Sequence, residues 1–282
     1  DLAVKHKIRA VSYGRGPDKK VIRRLRDAGI VCMPTVGALK HAQKAIEMGA
    51  NVITIQGGEG GGHTGSVPTT VLLPQVVDAV KVPVVAAGGF YDGRGLVAAL
   101  AFGAQGIAMG TRFLMTRDSG VPEVTLQRYL DVRDADRIRV SPVVDGMPQR
   151  MIDNEYLAML EKAAPLRRVW IALQSALQWK AQTGMTTRHA LGVLWQALRE
   201  DPATVAQTVM AANAPVLLQR SMVEGKPAEG VMSSGQVAAL IGELKSCREV
   251  IDGIVTQAGE RLSALSALSA LSSSTATQES NS

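Results

Sequence analysis

A single histidine stands in a loop that carries almost no other side chains. The loop reads QGGEGGGHTG, from Gln56 to Gly65, and it follows the apolar run NVITI. A free imidazole titrates near pH 6.5, so His63 is the side chain in this loop best suited to accept a proton at neutral pH. The glycines around it leave bare backbone against which a flat ligand can lie. A flexible glycine loop with an incidental histidine is the alternative interpretation.

Two further glycine clusters follow strand-like segments, at the strand ends where α/β proteins bind ligands. AAGGFYDGRG, residues 86–95, leads into a helix that starts near Asp92, and GIAMGTRF, residues 106–113, belongs to the next unit. Backbone N–H groups at helix N-termini bind anions, and the last strands of a barrel often form a phosphate site. Together the clusters predict a cofactor phosphate site, with simple turns as the alternative. The residues of this predicted site are Gly88, Gly89, Gly110 and Thr111.

The chain lacks the residue patterns of metal-dependent and serine-dependent hydrolysis. Its two cysteines, Cys32 and Cys247, have no paired spacing with histidines, and Glu59 forms no ligand cluster with His63. No G-x-S-x-G turn is present to hold a nucleophilic serine. We therefore expect no metal site, no disulfide framework and a reducing, cytoplasmic setting.

Short β-branched runs alternate with helix-length amphipathic segments, which predicts βα units on a parallel sheet. The predicted strands are 8–13, 30–36, 51–56, 82–88 and 106–113. The predicted helices lie near 18–28, 38–48, 69–80 and 93–102. A closed (β/α)8 barrel needs eight such units. We therefore predict an α/β fold of the TIM-barrel type, with the amino-terminal units missing from a chain that opens with Asp1.

The alternation stops after residue 116, where longer helical patterns such as EYLAMLEKAA and RRVWIALQSALQWKAQ begin. We divide the chain into the carboxyl-side βα units of a barrel over 1–116, a helical subdomain over 117–262 and a low-complexity tail over 263–282. The tail repeats the triplet SAL before a polar end, which predicts a frayed helix followed by disorder.

The composition is that of an ordinary globular protein, with 282 residues of which 46% are hydrophobic and 20% charged. The formal charge of +6 suits a phosphate-rich cofactor, an acyl-CoA or a nucleic acid. Aromatic residues make up only 4%, so base-stacking surfaces are not expected and a small-molecule partner is favoured over nucleic acid. We expect no membrane association, because no apolar run or signal pattern supports it. Whether the chain forms a homo-oligomer stays open.

Three motifs in this order resemble the nitronate monooxygenase (2-nitropropane dioxygenase-like) flavoproteins, which also include the flavin-dependent enoyl-acyl-carrier-protein reductases. They are QGGEGGGHTG, PVVAAGGFYDGRG and GIAMGTRF, and DGMPQRMI (145–152) and SSGQVAALI (233–241) extend the likeness beyond residue 116. The resemblance implies an FMN-binding TIM barrel in which the predicted phosphate site holds the FMN phosphate. It further implies that Gln56 and Gly57 lie near the flavin ring and that His63 is the catalytic histidine.

The segments GGFYDGRGL and MAANAPVLL are most similar to one subgroup, the IpdC-type oxidoreductases of steroid C/D-ring degradation. This likeness implies an enzyme that introduces a ring double bond into a hydroindane carboxyl-CoA. His63 would act as base, the flavin as hydride acceptor and NAD as one candidate electron acceptor. Several arginines are candidates for the CoA phosphates, with a solvated helix face as the alternative. They are Arg133, Arg137, Arg139, Arg167 and Arg168.

Three other functions stay open at this point. A true nitronate monooxygenase would use His63 to deprotonate the carbon next to a nitro group, with oxygen receiving the electrons. An enoyl-thioester reductase would run the flavin chemistry in the opposite direction. Outside enzymes, the chain would be a flavin-binding scaffold.

Overall fold

The computed structural model describes residues 1–14, 19–184, 186, 192 and 210–279. In chain order the strands are β1 (Ala10–Tyr13), β2 (Val31–Val36), β3 (Ile53–Gln56), β4 (Gly62–His63), β5 (Val84–Ala87), β6 (Gly106–Ala108), β7 (Ile138–Ser141) and β8 (Gln149–Ile152). The helices are α1 (Leu2–Lys5), α2 (Lys19–Asp27), α3 (Leu39–Met48), α4 (Thr69–Ala79), α5 (Gly93–Ala101), α6 (Thr111–Leu114), α7 (Glu123–Leu130), α8 (Glu155–Lys162), α9 (Pro165–Thr183), α10 (Asn213–Met222) and α11 (Cys247–Glu279). Short 3-10 helices lie at Ala135–Arg137 and Gln236–Leu240.

The chain divides into two compact units. The first unit comprises Asp1–Glu59, Gly65–Asp118 and Leu244–Ser282. The second unit comprises Gly60–Thr64 and Ser119–Glu243. The short segment that contains His63 therefore belongs to the second unit, although its neighbours in sequence belong to the first.

A five-stranded parallel sheet forms the first unit, in the order β1-β2-β3-β5-β6, and a helix follows each strand. The strand order follows the chain order, as in consecutive units of a (β/α)8 barrel. The register pairs Gln56 with Ala87 and Ala87 with Ala108. The carboxyl ends of β3, β5 and β6 therefore lie side by side at one edge of the sheet. The predicted α/β fold is confirmed, and all five predicted strands are present.

The apolar sequence of β3 reflects burial on both of its faces. Ile53 and Ile55 are fully buried on one face, and Thr54 between them is 4% exposed on the other, as expected for a strand inside a covered parallel sheet. Helix α4 contributes Leu72 and Val76 to the same core. Burying each side chain of this size stabilises the fold by about 1.5–3 kcal/mol. This core fixes the end of β3, and hence the start of the glycine loop, against α4.

Helix α11 packs on α5 within the first unit. A Cβ on Gly93 would come within 2.6 Å of the Ile254 carbonyl oxygen and the Ala258 nitrogen of α11. Residues 244–262, which the sequence analysis assigned to the helical subdomain, therefore pack with the βα units instead. The helix also continues to Glu279, through the segment for which we expected a frayed helix followed by disorder.

The second unit contains a three-stranded antiparallel sheet, β4-β8-β7, together with α8, α9 and α10. Its core includes Val144, Met151, Leu157 and Leu217, each fully buried. The prediction for this part of the chain was a helical subdomain. The sheet was missed because β7 and β8 follow one another without an intervening helix, so the alternation that marks βα units is absent, and because β4 joins the sheet only by pairing with β8 far along the chain.

Two smaller observations complete the fold. The predicted strand 106–113 ends at Ala108, because the Leu114 N–H donates to the Gly110 carbonyl at 2.9 Å and Thr111–Leu114 forms one helical turn. Among the helices of the described residues, none combines the length and the apolar character that crossing a bilayer requires.

Candidate active site

Six of the seven predicted site residues lie at the carboxyl-end edge of the parallel sheet. Because β3, β5 and β6 are hydrogen-bonded neighbours, the residues that follow them are brought together. They are Gln56 and Gly57 at β3, Gly88 and Gly89 after β5, and Gly110 and Thr111 after β6. We refer to these six as the strand-end cluster.

Gly57 is held by packing against the first turn of α4. A Cβ at this position would lie 2.0 Å from Oγ1 of Thr69 and 2.6 Å from its Cα, so only glycine fits. The Glu59 carboxylate accepts the Thr69 N–H at 3.0 Å and so caps α4. The Thr69 hydroxyl lies 2.8 Å from Glu59 and 2.9 Å from the Gly88 carbonyl, and it donates to one of them at a time. These contacts tie the loop after β3 to the end of β5.

The N-terminus of α5 differs from the sequence-based expectation of bare N–H groups facing an anion. Asp92 accepts the Arg94 N–H at 3.0 Å and the Gly95 N–H at 3.4 Å. Gln257 accepts the Gly93 N–H at 2.7 Å. That expectation is wrong, because side chains already satisfy the first-turn donors.

The glycine pair after β5 keeps backbone donors that no described residue uses. Gly88 and Gly89 have φ angles of 90° and 84°, a left-handed conformation that favours glycine. Within the described chain, the N–H groups of Gly88, Gly89 and Gly110 donate no hydrogen bond. A Cβ on Gly110 would meet nothing within 4 Å, so this position faces open space. Backbone donors at adjacent strand ends fit a phosphate group.

His63 is positioned by the small sheet of the second unit. It lies in β4, where it pairs with Gln149 of β8, and the Thr64 N–H donates to the Pro148 carbonyl at 3.3 Å. Gly61 packs directly on the SSGQ motif, since a Cβ there would lie 2.5 Å from the Ser234 carbonyl carbon. Glycine is therefore required next to β4 to seat the histidine.

A buried carboxylate holds the imidazole. Nε2 of His63 lies 2.8 Å from Oδ2 of Asp145, whose side chain is 5% exposed while that of His63 is 50% exposed. The other oxygen of Asp145 accepts the Met147 N–H at 3.1 Å. Asn213 donates to the Val144 carbonyl at 3.0 Å and so fixes the residue before the aspartate. An ionised carboxylate only accepts, so the neutral imidazole that fits this contact is the tautomer with the hydrogen on Nε2.

Asp145 was not predicted from the sequence as a site residue. Asp145 lies 82 residues from His63, and only the strand pairing brings the two together. It opens the DGMPQRMI motif, which was noted for its resemblance and not for its chemistry. Glu59, which was not expected to bind a metal, caps helix α4. Among the described residues, no group of three His, Cys, Asp or Glu side chains is arranged to hold a metal ion.

The five candidate arginines of the second unit fall into two groups. Arg139 bonds Glu161 at 2.7 Å and Asp153 at 2.9 Å, and these carboxylates raise its pKa. Arg168 donates to the last carbonyls of α8. Both are therefore committed to the protein itself. The exposed candidates are Arg133, Arg137 and Arg167.

These features are those of an α/β enzyme with glycine-lined strand ends and an imidazole–carboxylate pair. The profile of the family described as nitronate monooxygenase matches residues 1–257, and the chain belongs to that family of flavin-dependent oxidoreductases.

Known relatives agree with this assignment. The chain is 46% identical over 265 residues to a Rhodococcus jostii protein named "(3aS,4S,5R,7aS)-5-hydroxy-7a-methyl-1-oxo-octahydro-1H-indene-4-carboxyl-CoA dehydrogenase", covering 94% of this chain and 75% of the relative. It is 44% identical over 271 residues to a Mycobacterium tuberculosis protein of the same name, covering 92% and 73%. The solved structure of FabK from Thermotoga maritima superposes with a TM-score of 0.73 at 27% identity, covering 95% of this chain and 73% of that one. The predicted family resemblance is confirmed.

Proposed function

We propose that this protein is an FMN-dependent dehydrogenase that introduces a ring double bond into a cyclic acyl-CoA of steroid-ring degradation, with His63 as the base. The observation that carries the proposal is the hydrogen bond between His63 and the buried Asp145. The substrate class comes from the two relatives at 46% and 44% identity, whose name describes dehydrogenation of an octahydro-indene carboxyl-CoA.

The strand-end cluster is the proposed FMN site. Its support is the set of backbone donors at Gly88, Gly89 and Gly110, together with the left-handed glycines that a side chain would strain. Gln56 and Gly57 are proposed to lie near the flavin ring, and Thr111 near the phosphate. When bound, the flavin would supply hydride acceptance. NAD and oxygen are the two candidates for the final electron acceptor.

The proton chemistry follows from the geometry of the imidazole. A carbon next to a thioester carbonyl is acidic enough to give up a proton to a positioned base. Nδ1 of His63 would take that proton, since Nε2 already donates to Asp145. The imidazolium formed is stabilised by the carboxylate, which also prevents the ring from rotating. The exposed Arg133, Arg137 and Arg167 are the candidates left to meet CoA phosphates.

Anaerobic stopped-flow spectroscopy tests the proposal. The protein as isolated is expected to carry flavin, and the octahydro-indene carboxyl-CoA named above is expected to bleach it. His63→Ala should slow bleaching by about 10²- to 10⁴-fold, the usual contribution of a general base. His41→Ala is the matched control, because His41 lies exposed in α3 and should leave the rate unchanged. Unchanged bleaching in His63→Ala would remove the base assignment, and a flavin-free protein would remove the central proposal.

Nitronate oxidation is the second candidate, favoured by the family match itself. When the substrate enters as the neutral nitroalkane, His63 would remove the proton from the carbon next to the nitro group; a nitronate has already lost that proton and would only transfer electrons to the flavin. Bleaching by propyl-2-nitronate without bleaching by the acyl-CoA would favour this candidate over the dehydrogenase.

A further inference from the structure

Gln149 carries a buried amide that the fold does not use. Its side chain is 2% exposed, and Nε2 finds no hydrogen-bond partner among the described residues. Leaving such a group buried and unpaired costs about 1–3 kcal/mol. Unpaired buried donors are uncommon in folded proteins, and each one calls for an explanation such as a catalytic role, an ordered water or an ion.

The strand register places this amide beside His63. Gln149 stands directly opposite His63 in the antiparallel pairing of β4 with β8. Directly opposed residues point to the same face of a sheet, with Cβ atoms about 4.5–5.5 Å apart. Because Thr64 and Pro148 share a backbone hydrogen bond, the adjacent pair His63 and Gln149 is of the closer, non-hydrogen-bonded kind.

The other neighbours on this face are already engaged. Ser141 opposes Gln149 from β7, and its hydroxyl donates to Glu161 at 2.7 Å. Asp145, in the connection between β7 and β8, is bonded to His63 and to the Met147 N–H. The Gln149 amide is thus a free donor beside the base.

We propose that the Nε2–H of Gln149 binds the substrate oxygen on which negative charge develops when His63 removes the proton. The proposal rests on the proposed function and names a further catalytic residue for it. The bond between hydrogen and the substrate α-carbon breaks, and the proton goes to Nδ1 of His63. The electron pair left on carbon delocalises onto the thioester carbonyl oxygen, which accepts the amide hydrogen. A nitro oxygen would be bound in the same way.

The opposite responses of stability and turnover make this proposal testable. Gln149→Met keeps the side-chain length and removes the donor. Replacing an unpaired buried amide by an apolar side chain should leave the melting temperature unchanged or raise it. Loss of one donor to a developing oxyanion should lower kcat by about 10²- to 10³-fold. Thr54→Val is the matched control, because Oγ1 of Thr54 is likewise buried and unpartnered but lies in β3 of the first unit.

The assay follows α-proton exchange of the octahydro-indene carboxyl-CoA into deuterated water by NMR, beside flavin bleaching. Slow exchange and slow bleaching in Gln149→Met, with intact stability and a normal Thr54→Val control, support the proposal. Unchanged exchange overturns it, and so does a melting temperature that falls together with activity, since that marks a structural amide. If the wild-type protein does not exchange the α-proton of this thioester, and neither the thioester nor propyl-2-nitronate bleaches its flavin, the proposed function fails. The melting temperature of Gln149→Met then still decides whether the amide is structural.

Discussion

Replacing Asp145 by asparagine removes the charge behind His63 and little else. The two side chains are nearly isosteric, and the carbonyl oxygen of the introduced amide can still accept the Met147 N–H that the native carboxylate accepts at 3.1 Å. The amide can turn its NH2 group toward Nε2 of His63. That ring nitrogen would then become the acceptor and Nδ1 would carry the hydrogen, which is the wrong tautomer for a base.

The expected magnitude follows from the hydrogen bond that is lost. A bond to a charged group contributes about 1.5–3 kcal/mol, and each 1.36 kcal/mol changes a rate tenfold. The bond of 2.8 Å to a carboxylate that is 5% exposed places Asp145 in this class. We therefore expect Asp145→Asn to lower kcat by about 10- to 150-fold, with little change in KM. The 50% exposure of the imidazole favours the lower half of that range.

Flavin bleaching with normal and α-deuterated substrate is the assay. The isotope effect should rise in Asp145→Asn, because proton abstraction becomes the slower step. Asp153→Asn is the control, since Asp153 is 40% exposed and pairs with Arg139. Arg139 would keep its second ion pair, to Glu161 at 2.7 Å, in this variant. Three results would contradict the role of Asp145: a fall in kcat of less than about threefold, a change in KM without a change in kcat, or an equal fall in kcat for Asp153→Asn.

Three further predictions concern FMN binding and the stability of the fold. Gly110→Ala should leave the flavin-free fold intact, because the added Cβ meets nothing within 4 Å. It should weaken FMN binding by about tenfold in a fluorescence titration. Unaltered binding would remove Gly110 from the phosphate site. Glu59→Ala should lower stability by about 0.5–2 kcal/mol in urea unfolding through loss of the α4 cap, whereas Glu59→Gln should lose less; equal losses would argue against a charged cap. Burial raises the pKa of the Tyr129 hydroxyl. As pH rises, the unfolded chain therefore loses the tyrosine proton before the folded protein does. The free energy of unfolding should fall above about pH 10, by up to 1.36 kcal/mol per pH unit. Tyr129→Phe should cost about 1 kcal/mol at neutral pH through the lost bond to Ser233 but flatten that alkaline decline, and an unchanged slope would contradict the assignment.

Most of the parallel sheet could be predicted because its signals are local. Strands β1, β2, β3, β5 and β6 each fall within a predicted run, since a β-branched segment followed by an amphipathic helix is a pattern of neighbouring residues. The helix caps and turn glycines work in the same way: Gly49 has a φ of 110° directly after α3. The antiparallel sheet gave no such signal, because β7 and β8 have no helix between them and β4 joins them only through pairing across distant parts of the chain.

Local patterns in the chain were enough to predict the βα units, the family and His63 as the candidate base. Tertiary structure decided what surrounds that histidine. Asp145 and Gln149 reach it only through β8, and Gly57 and Gly93 prove to be sites of close packing on Thr69 and α11. The physical reason is that periodicity and turn chemistry act between near neighbours, whereas a hydrogen-bond partner 82 residues away is selected by the packing of the whole unit.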